Sequence, residues 1–122
     1  MGETVQLRSA KDGFAFDAYR APVSDARRGG LVICHAIWGG TPHLRALADS
    51  YAHDGYEVLV PSLFDRFGHG FAERDTDPAL YARQNGWAEA THWGADVLDV
   101  VQAAIDALAP PVFAMEIGRA HV

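Results

Sequence analysis

Residues 31–61 read LVICHAIWGGTPHLRALADSYAHDGYEVLVP, and their pattern decides the fold. The stretch opens with Leu31-Val32-Ile33-Cys34, an apolar run without alternation. Strands covered on both faces, as in a central parallel sheet, look like this. A loop, His35 to Gly40 (HAIWGG), comes next. Thr41-Pro42 then supplies an N-cap and a first helical residue, since the fixed φ of proline suits that position. Leu44, Leu47, Ala48 and Tyr51 recur at spacings of three and four and form one apolar face, while Arg45 and Asp49 point away. Asp54-Gly55 predicts a left-handed C-terminal stop. Tyr56 to Val60 (YEVLV), closed by Pro61, is the next strand. Strand, helix and strand with short connections make a βαβ unit: parallel strands joined by a right-handed crossover.

Upstream, residues 4–8 (TVQLR) and 14–20 (FAFDAYR) alternate apolar and polar around a Lys11-Asp12-Gly13 turn. They predict a β-hairpin whose buried face is carried by Phe14 and Phe16. Ala21 to Gly30 (APVSDARRGG) reads as a loop. Downstream, Ser62 to Asp77 is irregular and rich in Gly, Asp and Arg; excursions of this length in compact domains are often functional. Asp77-Pro78 opens a short helix that Asn85-Gly86 interrupts, and a longer helix runs from about Trp87 to Leu108. Its predicted buried stripe is Ala90, Gly94, Val97, Leu98, Val101, Ala104, Ile105 and Leu108, with Asp96, Asp99, Gln102 and Asp106 facing solvent. Ala109-Pro110-Pro111 ends it, and Val112 to Met115 (VFAM) begins another strand. The order β-β-β-α-β-α-β is that of an α/β sheet.

Composition narrows the function classes. The 122 residues are 49% hydrophobic and 21% charged, enough for one domain with its own core. Sixteen acidic residues against ten Lys and Arg leave a net charge of −6 with no basic stripe, which argues against a nucleic-acid partner. No apolar run approaches the ~20 residues of a membrane span, and Met1 leads into a polar stretch rather than a signal peptide. The expectation is a soluble, cytoplasmic chain with no membrane partner. The single cysteine, Cys34, forbids an intrachain disulfide and a cysteine-built zinc site. Lying inside the apolar strand, it reads as a small hydrophobe rather than a nucleophile. No two of the six histidines have helical i, i+4 spacing, so neither a metal nor any other cofactor is expected.

Two blocks, each after a strand, carry a family resemblance: His35-Ala36-Ile37-Trp38-Gly39 and Pro61-Ser62-Leu63-Phe64-Asp65-Arg66. Together with the helices that follow, they make Gly30 to Met115 resemble the dienelactone hydrolase family of α/β-hydrolases. In that family a strand leads into H/Q-E-I-F-G, then a helix, then a strand ending in P-D-L-[FY]-x-R. The resemblance implies the first half of an α/β-hydrolase fold: an N-terminal β-hairpin, then a parallel sheet with helices on both faces. The Tyr56 strand would lie next to the hairpin and the Leu31 strand between it and the Val112 strand. The helix from Thr41 and the one ending near Leu108 would take opposite faces.

The same resemblance implies the site. Ile37 matches the position whose backbone N–H supplies half of an oxyanion hole; packing beneath the loop is the plainer role. A fixed amide facing a developing oxyanion is worth roughly 3 kcal/mol. Arg66 matches an arginine that holds a substrate carboxylate, a task suited to a planar guanidinium. Its alternative is a surface ion pair with Asp65 or Glu73. Trp38 reads equally as a substrate-pocket wall and as core packing. Ala36 is a departure: the family often has Glu there, so the resemblance supports ester hydrolysis more than action on the name-giving lactone.

The family's nucleophile, Cys or Ser, stands in G-x-[CS]-x-G directly after the strand that begins here at Val112. That pattern occurs nowhere in the chain. Residues 116–122, EIGRAHV, match what a common sequencing adapter encodes in one frame, and such segments are set aside in fold reasoning. The expectation is therefore that residues 1–115 are the N-terminal part of a single α/β-hydrolase domain and 116–122 a non-native tail. The parent would cleave small carboxylic esters or lactones through a covalent acyl intermediate, with the nucleophile, acid and histidine outside this chain, which alone would be inactive. The competing reading is a non-catalytic flavodoxin-like binding module. It would need an acidic cluster or a phosphate-binding loop at the first strand ends, and His35 to Gly40 supplies neither.

Overall fold

The computed structural model describes residues 2–23, 26–35, 42–63, 65 and 93–116. The described elements are β1 (Glu3–Arg8), β2 (Ala15–Ala21), β3 (Gly29–Cys34), α1 (Pro42–His53), β4 (Tyr56–Pro61), α2 (Trp93–Asp106) and β5 (Val112–Glu116). The strands form one mixed sheet in the order β1-β2-β4-β3-β5. β1 and β2 are the antiparallel hairpin, β2 meets β4 antiparallel, and β3 lies parallel between β4 and β5. This is the strand order the resemblance implied.

Local chemistry accounts for the corners. In the hairpin turn the Ser9 N–H donates to the Phe14 carbonyl and the Gly13 N–H to the Ser9 carbonyl, with Gly13 at φ +73°. Gly55, at φ +104°, ends α1 in the left-handed conformation the sequence predicted.

The two helices take opposite faces. On one, Leu31, Ile33, Val58 and Val60 pack against Leu44, Ala48 and Ala52 of α1. On the other, Val32 and Leu59 pack against Ala104 of α2 and Leu108 just beyond it. Alternate residues of β3 and β4 thus feed two cores, which is why both strands read as unbroken apolar runs. Phe16, completely buried, joins Leu63 and Val100 in a third cluster on the α2 side, with Phe14 packed against it just before β2 begins.

Three details differ from expectation. β3 begins at Gly29 rather than after Gly30, and both glycines are buried in the ladder. A Cβ on Gly30 would stand 3.0 Å from the Leu108 side chain, and one on Gly29 would meet the Pro111 carbonyl at 3.1 Å. The glycines are there because the α2–β5 corner approaches the backbone closely, not because the chain turns. In α2 the stripe is rotated: Val100 is buried whereas Leu98 is 70% exposed, and Asp99 is half-buried with its carboxylate accepting the Ser9 hydroxyl. The third difference is on α1. Arg45 and Asp49 turn towards the sheet: Asp49 accepts the Tyr19 hydroxyl at 2.7 Å and the Arg45 guanidinium lies 5.7 Å from that ring's centre. A helix laid across β2 and β4 brings the flanks of its apolar stripe into contact as well.

At the amino ends of the parallel strands Glu57 accepts Arg20 at 2.9 Å and Arg27 at 3.1 Å, while Arg27 also donates to the Ala109 carbonyl. This ties the segment before β3 to β4 and to the α2–β5 corner. Burial by itself would raise the Glu57 carboxyl, but the hydrogen bonds and charges of Arg20 and Arg27 outweigh it and hold it below its ordinary value. A depressed carboxylate stabilises above its unfolded pKa, and that stabilisation is lost as the pH falls through the lower folded value. Glu57→Ala should therefore cost about 1–2 kcal/mol near neutral pH, an amount limited by partial exposure of the three side chains. Urea titrations of variant and wild type should converge as the pH drops into the acid range. A gap independent of pH would disprove the ion-pair account.

Candidate active site

Because β3, β4 and β5 are parallel, their carboxyl ends share one edge of the sheet, where α/β folds place their chemistry. Cys34 pairs with Glu116 and Val32 with Leu59, so the three strands end at about one level. Ile37, Trp38 and Arg66, the residues assigned to oxyanion, pocket and substrate roles, lie outside the described residues. The frame that carries them does not: His35 begins the loop leading to Ile37 and Trp38, and Ser62, Leu63 and Asp65 begin the one leading to Arg66.

Hydrogen bonds tie these two loop bases together. The Leu63 N–H donates to His35 Nε2 at 2.9 Å, and both residues are buried. On the other side the same segment is fastened to β2: the Ser62 N–H donates to the Asp17 carbonyl at 2.8 Å, and the Asp17 N–H donates to Asp65 Oδ2 at 2.7 Å. Asp65 is 5% exposed.

His35 and Asp65 were legible only as motif letters. The available signal was that a histidine and an aspartate abutting apolar strand ends must find partners once buried. Each accepts from a backbone N–H far away in sequence, Leu63 for His35 and Asp17 for Asp65, which no local pattern reveals.

Cys34 is half-buried on the α2 face, beside the clusters that contain Phe16 and Val32. Burial, and secondarily the Glu116 charge, push its thiol up from the ordinary value. A thiol held in its protonated form is a poor nucleophile, in keeping with a packing role. Among the described residues no helix is long and apolar enough to cross a membrane.

A model of the dienelactone hydrolase family matches residues 16–110, most of the chain and both loop bases. The chain belongs to the dienelactone hydrolase family. It is thus a member of a family of hydrolases with the α/β fold described above. Its fold is similar to that of a dienelactone hydrolase-like promiscuous phosphotriesterase from metagenomic libraries, with a TM-score of 0.62 and 19% identity over 94% of this chain and 48% of the other. A second solved protein, m3DLH, gives a TM-score of 0.61 at 17% identity, covering 94% of this chain and 49% of its own. This family member therefore spans about half the length of the solved structures it resembles. No curated protein matches it in sequence.

Proposed function

We propose that the chain is the front part of a cytoplasmic enzyme that hydrolyses small carboxylic esters or lactones through a covalent acyl intermediate. The observation that carries this reading is the family match across both loop bases, combined with a strand order that brings those bases to one edge of the sheet. In this reading the Ile37 backbone N–H faces the oxyanion of the tetrahedral intermediate, Arg66 pairs with a carboxylate on the substrate, and Trp38 walls the pocket. The partner is a small molecule; nucleic acid and membrane have no part. The nucleophile and its acid–base partners belong to the remainder of the full-length enzyme.

The test compares two activated esters of similar size, one bearing a carboxylate and one neutral, in the full-length protein. Both should be hydrolysed, with a burst of the first product as the acyl-enzyme accumulates. Arg66→Ala should raise KM for the carboxylate ester roughly tenfold and leave the neutral ester nearly unchanged, as expected from losing one charge-assisted contact. Equal effects on both esters would remove Arg66 from the substrate site. An absence of ester hydrolysis in the full-length protein would reject the proposal itself.

A further inference from the structure

We propose that His35 is a positioning residue whose neutral imidazole, with its proton on Nδ1, clamps the base of the β4 loop to the base of the β3 loop. It thereby ties together the two described chain segments that Ile37 and Arg66 follow in sequence. The inference rests on the ester-hydrolase reading above and goes a step further, to what holds that site in shape.

Three observations converge on it. Leu63 has left β4, and its buried N–H donates to the ring of a residue 28 positions earlier rather than to a backbone carbonyl. The segment is held from two sides, by Asp17 of β2 through Ser62 and Asp65, and by His35 through Leu63. His35 is the described residue on the β3 side of this clamp, and it stands two positions before Ile37, while Leu63 stands three before Arg66. With the ring gone, the segment 62–65 would be fastened to β2 alone among these contacts, and its tie to the end of β3 would be lost.

The tautomer follows from the bond. A ring that accepts through Nε2 carries its proton on Nδ1, and an imidazolium, with two donors and no acceptor, cannot make this contact. Misplacement of catalytic groups by about 1 Å can cost on the order of 100-fold in rate, so a tie of this kind is worth more to activity than to folding.

The test uses the full-length protein with His35→Leu, which removes the acceptor, and His35→Gln, whose Oε1 can reach the position of Nε2. Hydrogen exchange at the Leu63 amide reads the bond directly. The leucine variant should exchange Leu63 at least tenfold faster and lose about 10–100-fold in kcat/KM on both esters, mostly through kcat. The glutamine variant should keep Leu63 protected and recover most of the rate. Should the leucine variant fail to fold, the ring nitrogen shifts of wild-type His35 still decide: an Nδ1–H tautomer near neutral pH supports the clamp, and an Nε2–H tautomer or an imidazolium overturns it. Unchanged Leu63 exchange in a folded leucine variant overturns it equally, as does a glutamine variant as impaired as the leucine one. A full-length protein without esterase activity sinks the hydrolase reading alone, because the exchange comparison still tests the His35 bond.

Discussion

A purified chain of residues 1–122 should show no multiple-turnover hydrolysis of a short activated ester, whereas the full-length protein should turn it over. Acyl transfer needs a nucleophile and a base within hydrogen-bond reach of each other. The G-x-[CS]-x-G that the family resemblance implies after β5 is absent from these residues. In the proposed mechanism the second oxyanion amide comes from the residue after that nucleophile, so residues 1–122 would supply at most one of the two donors. The candidate within the chain is Cys34, and its setting is wrong: half-buried against α2, with burial and then Glu116 both favouring the protonated thiol. The neighbouring imidazole is engaged through Nε2 with the Leu63 amide and is not free to act as its base through that nitrogen. Cys34→Ala is the control. Turnover by residues 1–122 that Cys34→Ala abolishes would show that the thiol is catalytic and overturn this account.

Phe16→Ala should cost about 3–5 kcal/mol, a large share of the ~5–15 kcal/mol that holds a typical domain. Phe16 is completely buried, and its cluster joins three separate pieces of chain: β2, Leu63 beyond β4, and Val100 of α2. Truncation there leaves a cavity bordered by elements that are each held in place by their own ladders or turns, so the site cannot collapse to fill it. The contrast is Leu98→Ala, on the same helix as Val100 but 70% exposed, which should change stability by less than about 0.5 kcal/mol. Urea unfolding followed by circular dichroism checks the pair. A Phe16→Ala effect below about 1 kcal/mol would mean that the third cluster adds little to the core.

The same cluster shows where sequence periodicity stops being informative. Phe16 was identifiable as buried, because strand alternation puts Phe14 and Phe16 on one side. Its partner Val100 was not. In VLDVVQAAI the apolar residues outnumber what one stripe can hold, and several rotations of the helix satisfy the 3.6-residue period almost equally. Only docking against Phe16 and Leu63 selects Val97, Val100 and Val101 and leaves Leu98 outside. Gly29 and Gly30 read as a loop for a related reason: the corner that needs their missing Cβ atoms lies some 80 residues later in the chain.

By itself, the sequence determined the βαβ unit and its ends, the hairpin, and the family through its two loop blocks. Each of these rests on short-range physics: the period of apolar residues, the φ freedom of Gly13 and Gly55, and the N-terminal fit of Pro42. Tertiary structure alone decided the register of β2 on β4, the rotation of α2, and the role of each polar residue at the strand ends. The reason is common to all three. A buried donor, acceptor or Cβ vacancy is satisfied by whatever the fold brings beside it. For His35 that is the Leu63 amide, for Asp65 the Asp17 amide, and for Gly30 the side chain of Leu108.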